Sequence, residues 1–250
     1  MSENQKKIWV TGASSGIGKA VAEKFAREGW KVAVSARRKE LLDEMAKNDN
    51  IFSFPLDVTN FDNCKSTFNK IRDQLGDIDI CFLCSGTYDP KKEQELNLEE
   101  NKFVMNVNYF GTLNCVKAVE KYFKEKKAGH ISIVSSIAGY RGLPNSSGYG
   151  PSKAALTNFA ESIYFDFKKY GVRVSVTSPG FIKTPLTDKN EFPMPFLRSP
   201  EFAADKVYNG LVKSRGFEIH FPKQLTMTLK FLRILPYRIY LFLVDKLVKR

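Results

Sequence analysis

Short apolar runs recur along the chain at residues 8–10, 32–35, 52–55, 80–83, 130–134 and 173–177, and stretches of helical spacing separate them. Each run is too short for a helix and is rich in β-branched or aromatic residues, so each reads as a buried strand. After the first run, Ala20, Val21, Lys24 and Phe25 fall on one helical face. Regular alternation of strand and helix predicts an α/β fold with a parallel sheet covered on both faces. A chain of 250 residues with 43% hydrophobic content buries a full core as one domain. No internal repeat or low-complexity linker interrupts the pattern.

The first strand runs directly into Thr11-Gly12-Ala13-Ser14-Ser15-Gly16-Ile17-Gly18, and a helix follows. Gly12 permits a tight turn, Gly16 lets backbone approach a phosphate, and Gly18 lets the helix pack on the strand. Free N–H groups, those of Ser14, Ser15 and Ile17 among them, and the helix dipole then face a pyrophosphate. Further on, Tyr149 and Lys153 stand four apart and thirteen residues beyond the serine pair Ser135-Ser136. Residues at i and i+4 share a helix face, so the ammonium of Lys153 would sit beside the phenol and lower its pKa from the usual value of about 10. Alone, such a pair is an ordinary solvated helix face. Behind a glycine turn of this kind it is candidate acid–base chemistry.

These motifs together resemble the short-chain dehydrogenases/reductases, over residues 6–221. The Thr-Gly-x-x-x-Gly-x-Gly spacing of Thr11 to Gly18 is characteristic of that family. The resemblance implies a single-domain, Rossmann-type, doubly wound sheet of about seven strands, completed by a short strand near 218–221. Residues 1–222 would form the dinucleotide-binding catalytic domain and 223–250 a C-terminal helical extension. It assigns Asn108, Ser136, Tyr149 and Lys153 as a catalytic tetrad. Tyr149 would donate a proton to a carbonyl that accepts hydride from nicotinamide, with Ser136 bonding the same oxygen. Lys153 would bond the nicotinamide ribose, and Asn108 would hold a water linking Lys153 to solvent. The alternative is a noncatalytic dinucleotide-binding or scaffold protein on the same fold, and the intact tetrad argues against it.

Cofactor choice is read after the second strand. Where NAD users of the family carry an acidic residue, this chain has Ala36, followed by Arg37 and Arg38. A guanidinium fork suits a 2′-phosphate, so NADP(H) is expected over NAD(H), with Arg37 carrying most of the difference. Ser15 stands where some NADP users place a basic residue. By resemblance, Asp57 and Val58 meet the adenine and Gly86 borders the nicotinamide ribose. Pro179, Gly180, Ile182 and Thr184 form the carboxamide loop. The family's usual Asn-Asn-Ala-Gly is here Leu83-Cys84-Ser85-Gly86, which puts the local bonding of that strand in question.

The loop 185–200, with Phe192, Met194, Phe196 and Leu197 among its prolines, falls where the family keeps its substrate loop. Its greasy composition suits a hydrophobic carbonyl or alcohol, and equally a packed loop or dimer contact. The tail holds two apolar helical segments around Pro236, punctuated by Lys230, Arg233, Arg238, Lys246, Lys249 and Arg250. These charges leave no run near the ~20 apolar residues a spanning helix needs. With a net charge of +12 and a pI near 9.4, the tail suits an anionic membrane surface. A partner subunit in a homo-oligomer, a dimer or tetramer, is the open alternative. No nucleic-acid motif is present.

Cys81 and Cys84 lie three apart on a strand and should face opposite sides of the sheet, and two histidines are too few for a metal cluster. No metal is expected. The polar start predicts no secretory leader, so the expected compartment is the reducing cytoplasm, peripheral to a membrane if the tail binds one.

Overall fold

The computed structural model describes residues 5–248. Part of the polar start, residues 1–4, and the tail cations Lys249 and Arg250 lie outside the described residues. The strands are β1 (Lys7–Thr11), β2 (Lys31–Ser35), β3 (Ile51–Ser53), β4 (Ile80–Leu83), β5 (His130–Val134), β6 (Arg173–Pro179) and β7 (Glu218–Phe221). They form one parallel sheet in the order β3-β2-β1-β4-β5-β6-β7. The chain winds outward through β2 and β3, then returns to place β4 on the other side of β1. Thr11 pairs with Leu83 at the carboxyl ends of these two strands, and such a switch point is where a doubly wound sheet leaves a ligand crevice.

Period-two alternation divides the core. Ile8, Val10, Val32, Val34 and Phe82 face α1 (Gly16–Arg27), α2 (Lys39–Met45) and α7 (Pro200–Tyr208) through Val21, Phe25, Leu42, Ala203 and Val207. Trp9, Ala33, Cys81, Leu83, Ile131 and Val174 face α3 (Phe61–Leu75), α5 (Gly111–Lys126) and α6 (Tyr149–Lys168). Cys81 belongs to the second face while Cys84 packs against the first, so the sheet separates them, and all four thiols are free.

β3 is shorter than the predicted 52–55. Pro55 has no N–H for the ladder, although Phe54 and Leu56 still donate to the carbonyls of Val34 and Ala36. β6, by contrast, runs two residues beyond its predicted end. α4 (Leu98–Met105) passes into a π-helical turn, Asn106–Phe110, before α5 begins.

The tail forms α8 (Lys223–Ile234) and α9 (Tyr237–Val248), and among the described residues no helix is long and apolar enough to cross a membrane. The break between them follows from Pro236: Leu235 is extended, at φ −69° and ψ 146°, as the residue before a proline prefers. Arg141 fastens the corner. Its Nη1 donates to the carbonyls of Leu232, Arg233 and Leu235 at 2.8–3.2 Å, and its guanidinium lies 4.5 Å from the ring centre of Tyr237 and 4.0 Å from that of Tyr240. Leu225 packs with Ile137 and Tyr140, and Lys230 pairs with Glu218. The tail is thus seated on the segment that follows Ser136.

Candidate active site

The glycine turn is cut to a tight fit. Gly12 and Gly16 have φ of 67° and 57°, a region that L side chains avoid. A Cβ on Gly12 would stand 2.8 Å from the carbonyl oxygen of Cys84, and one on Gly18 only 2.4 Å from that of Gly12. The first turn of α1 begins at the crevice, and its N-cap Ser15 makes no side-chain cap bond, so the leading N–H groups of Gly16 and Ile17 are not taken by a cap. Backbone donors and a helix N-terminus together fit a dinucleotide pyrophosphate, and a guanidinium stands beside them.

That guanidinium belongs to Arg38. Its Nη2 donates to Ser14 Oγ at 2.8 Å and Ser15 Oγ at 3.0 Å, so the positive charge missing from the loop itself is delivered from β2's exit. Arg37 instead lies near Asp57. Burial works against the Asp57 carboxylate, yet the N–H and hydroxyl of Thr59 together with Arg37 outweigh it and hold its pKa below the usual value. Of the two arginines, Arg38 is the one that reaches the glycine turn. Val58 packs directly over Gly111.

The substitution at Leu83-Cys84-Ser85-Gly86 leaves the strand tied. Thr11 Oγ1 accepts the N–H of Cys84 at 3.1 Å and of Ser85 at 3.3 Å, which joins β4 to β1 without an asparagine. Gly86 lies under Lys153 and Asn108; a Cβ there would stand 3.5 Å from Lys153 Nζ.

The four tetrad candidates come together above this end of the sheet. Tyr149 is the first residue of α6, and Lys153, one turn on, donates from Nζ to the carbonyl of Val134 at 3.0 Å. Its ammonium is 5.6 Å from the centre of the Tyr149 ring. The serine pair divides its labour: Ser135 Oγ donates to the Lys153 carbonyl at 2.7 Å, while Ser136 faces Tyr149. Asn108 sits fully buried in the π-helical turn, a feature that recurs at functional sites. Its Oδ1 accepts the N–H of Thr87 at 2.7 Å and its Nδ2 donates to the Thr87 carbonyl and to Ser152 Oγ. Those bonds occupy the side chain in bracing the site.

The electrostatics differ from the expectation of a depressed phenol. Burial pushes Tyr149 up to about 12, with the Ser136 hydroxyl pulling the other way, and burial lowers Lys153 to about 8. Desolvation disfavours the charged form of each, and spacing along a helix carries no information about that depth. The consequence is a phenol that keeps its proton through neutral pH, beside an ammonium still mostly charged there.

At the other rim, β6 ends at Pro179 and Gly180 N–H donates to the Phe221 carbonyl at 2.7 Å. The Ile182 carbonyl accepts from the Thr187 hydroxyl at 2.6 Å, and Thr184 reaches across to Gly16, where a Cβ would meet its methyl at 3.0 Å. Ile182 also bridges to Arg198, which closes the base of the 185–200 loop.

Three contributors were not legible in the sequence. Tyr88 lies against Tyr149 with ring centres 4.6 Å apart, Glu93 binds the start of α6, and Arg141 seats the tail. All three act across distant sequence separations, and no local spacing marks them. Among the described residues no cluster of His, Cys, Asp and Glu would hold a metal.

Residues 6–193 match the short chain dehydrogenase family. An uncharacterized oxidoreductase of Myxococcus xanthus is 35% identical over 232 residues, covering 91% of each chain. The solved structure of ElxO with NADP bound aligns over 87% of this chain and 98% of its own, at 26% identity and a TM-score of 0.76. A short chain dehydrogenase/reductase of Burkholderia phymatum, solved in complex with NAD, shares the fold over 92% and 94% of the two chains, at 22% identity and a TM-score of 0.78.

Proposed function

This chain belongs to the short-chain dehydrogenase family, and from that premise we propose that it is an NADP(H)-dependent oxidoreductase that reduces a hydrophobic carbonyl, with Tyr149 as the proton donor. The observation that carries this reading is the convergence of Ser136, Tyr149 and Lys153 at the mouth of the glycine-turn crevice. When bound, a nicotinamide supplies the hydride. Tyr149 O–H gives its proton to the oxygen of the carbonyl as negative charge develops there, and Ser136 donates a hydrogen bond to the same oxygen. Lys153, held by the Val134 carbonyl, keeps positive charge near the reacting oxygen, and reprotonation of Tyr149 would run past Lys153 towards Asn108. A protonated Tyr149 is the form that reduction uses. Oxidation of the alcohol requires the phenolate, so the raised pKa favours reduction near neutral pH. Consumption of NADPH on addition of a hydrophobic ketone, with alcohol formed in equal amount, tests the proposal; silence across short and long carbonyls would refute it.

The preference for NADP(H) rests on this chain's own arginines and not on a relative's cofactor. Arg38→Ala is expected to weaken NADPH binding about ten- to a hundredfold, the ~1.5–3 kcal/mol of a charge-assisted bond, and Arg37→Ala to do the same, while NADH binding hardly changes. Fluorescence titration of both cofactors checks this. Equal affinity of the unaltered protein for NADPH and NADH would contradict it.

A homo-oligomer fits the exposed Phe103, Phe110 and Phe165, and the free thiols suit a cytoplasmic protein. For the tail we favour an anionic membrane surface. On α8, Met227, Phe231 and Ile234 are spaced i, i+4, i+7 and turned outward, Phe231 at 60% and Ile234 at 77% exposure, and Tyr237, Leu241 and Phe242 extend the stripe along α9. Exposed Lys223, Arg233, Arg238 and Lys246 flank it, the arrangement of an interfacial helix. The protein is expected to sediment with anionic lipid vesicles and to lose part of that binding above ~0.15 M salt, where the Debye length is about 8 Å. Indifference to vesicles, with a dimer that separates when 225–250 are removed, would assign the tail to a partner subunit.

A further inference from the structure

Tyr149 is the first residue of a long helix, α6. The leading N–H groups of any helix lack partners within it, and the N-cap here, Gly148, has no side chain to supply one. Ser146 takes the N–H of Gly150 at 2.9 Å. The two N–H groups before it are taken from far away in the chain. Glu93 Oε2 accepts the Gly148 N–H at 2.8 Å and the Tyr149 N–H at 3.1 Å, and Oε1 stands 3.2 Å from the latter.

Glu93 is only 2% exposed, and no cation pairs with it in the described structure. Its charged neighbours are acidic: Glu100, which carries the Lys92 ion pair, and Asp89, with Tyr149 on the helix side. Burial, the largest influence, raises its pKa, and those acids raise it further, while the two N–H groups of α6 lower it. A buried carboxylate without a counter-ion is expensive. The helix N-terminus, with about half a positive charge, is the group that answers it. The same segment touches the reacting side chain a second time, because Tyr88 lies against the Tyr149 ring and is itself fixed by a hydrogen bond from its hydroxyl to the Asn145 carbonyl. One residue earlier, Thr87 holds Asn108 through both of its backbone groups.

We propose that Glu93 is a positioning residue for the reaction: it caps the catalytic helix from the 87–97 segment, fixes where the Tyr149 hydroxyl sits, and sets the charge the phenol experiences. This rests on the reductase reading above. A side chain misplaced by about 1 Å can cost a hundredfold in rate, and α6 without its cap has its first turn, and with it Tyr149, free to fray.

The test compares Glu93→Ala and Glu93→Gln in the full-length protein, by steady-state kinetics with NADPH and a ketone, NADPH titration, amide hydrogen exchange and the pH dependence of alcohol oxidation. Alanine should lower kcat about ten- to a hundredfold, with the NADPH dissociation constant changed less than about threefold, because the glycine turn is untouched. Exchange at Gly148 and Tyr149 should quicken. Glutamine keeps an acceptor oxygen and should restore most of the turnover. It also removes a negative charge that raises the Tyr149 pKa, so alcohol oxidation, which needs the phenolate, should begin its rise at lower pH than in the unaltered protein; a purely structural prop would leave that limb in place. Unchanged kcat in the alanine variant, or an unmoved limb in the glutamine variant, would overturn the proposal. Absence of turnover in the unaltered protein would instead refute the reductase reading, and unchanged exchange at Gly148 and Tyr149 in the alanine variant would still overturn the capping role.

Discussion

Tyr149→Phe should lower turnover by at least the ~10²–10⁴-fold that a positioned acid–base group contributes, while the dissociation constant for NADPH stays within about twofold of its original value. The separation of the two effects follows from the geometry. Phenylalanine keeps the ring that lies 4.6 Å from Tyr88, and the backbone N–H bound by Glu93 is indifferent to the side chain. Lys153 also keeps its bond to Val134. Only the hydroxyl goes, and with it the proton that the developing alkoxide requires. Steady-state kinetics alongside a fluorescence titration measure both quantities on one preparation. Near-full activity in the phenylalanine variant would remove Tyr149 from the chemistry.

The second large effect is expected from one methyl group. In Gly18→Ala the new Cβ would lie 2.4 Å from the carbonyl oxygen of Gly12 and 2.9 Å from its carbon, so neither partner is a flexible side chain that can swing aside. The turn and α1 must separate. Overpacking of this kind costs about 1–3 kcal/mol, or roughly 2–12 °C in Tm for a chain of this size. Because the displaced backbone is the crevice itself, NADPH affinity should fall at least about tenfold, the equivalent of 1.4 kcal/mol. Differential scanning calorimetry and a cofactor titration read the two losses. Gly29→Ala is the comparison: its added Cβ meets nothing within 4 Å, although its φ of 80° brings backbone strain, so Tm should fall while NADPH affinity holds. If Gly18→Ala binds NADPH normally, the glycine turn is not where the cofactor lies.

What the sequence disclosed and what it withheld divide along a physical line. Strands β4 and β5 fall on their expected residues because a parallel strand buried on both faces reads as a largely apolar run. β7, with Glu218 and His220 alternating with buried Ile219 and Phe221, falls where the family resemblance placed it, and the glycine turn was legible because only glycine accepts the φ of Gly12 and the contact at Gly18. The candidate tetrad was legible through the family resemblance that the turn, the serine and the i, i+4 pair carry together, and Asn108 through that resemblance alone. Depth was not legible. Spacing on a helix suggested that Lys153 would lower the phenol's pKa, whereas burial raises it to about 12. Long-range partners were hidden as well. Nothing local marks Glu93 as a cap 55 residues ahead of Gly148, Arg141 as the clasp of a tail about 90 residues away, or Thr11 as the residue that replaces the family's asparagine bonding at Cys84. Of the two arginines, the sequence shows the pair, and only the folded chain shows that Arg38 turns to the serines of the glycine turn.

Hydride transfer itself is the most direct test of the central claim. NADPH carrying deuterium at the nicotinamide C4 is supplied with a hydrophobic ketone, and the alcohol is examined by mass spectrometry and NMR. The expected product carries one deuterium on its carbinol carbon, from only one of the two C4-labelled faces, with an exchangeable proton on oxygen, and Tyr149→Phe forms little or none of it. An alcohol without deuterium from either labelled face, or no alcohol at all while NADPH binds normally, would contradict the assignment of this protein as a reductase.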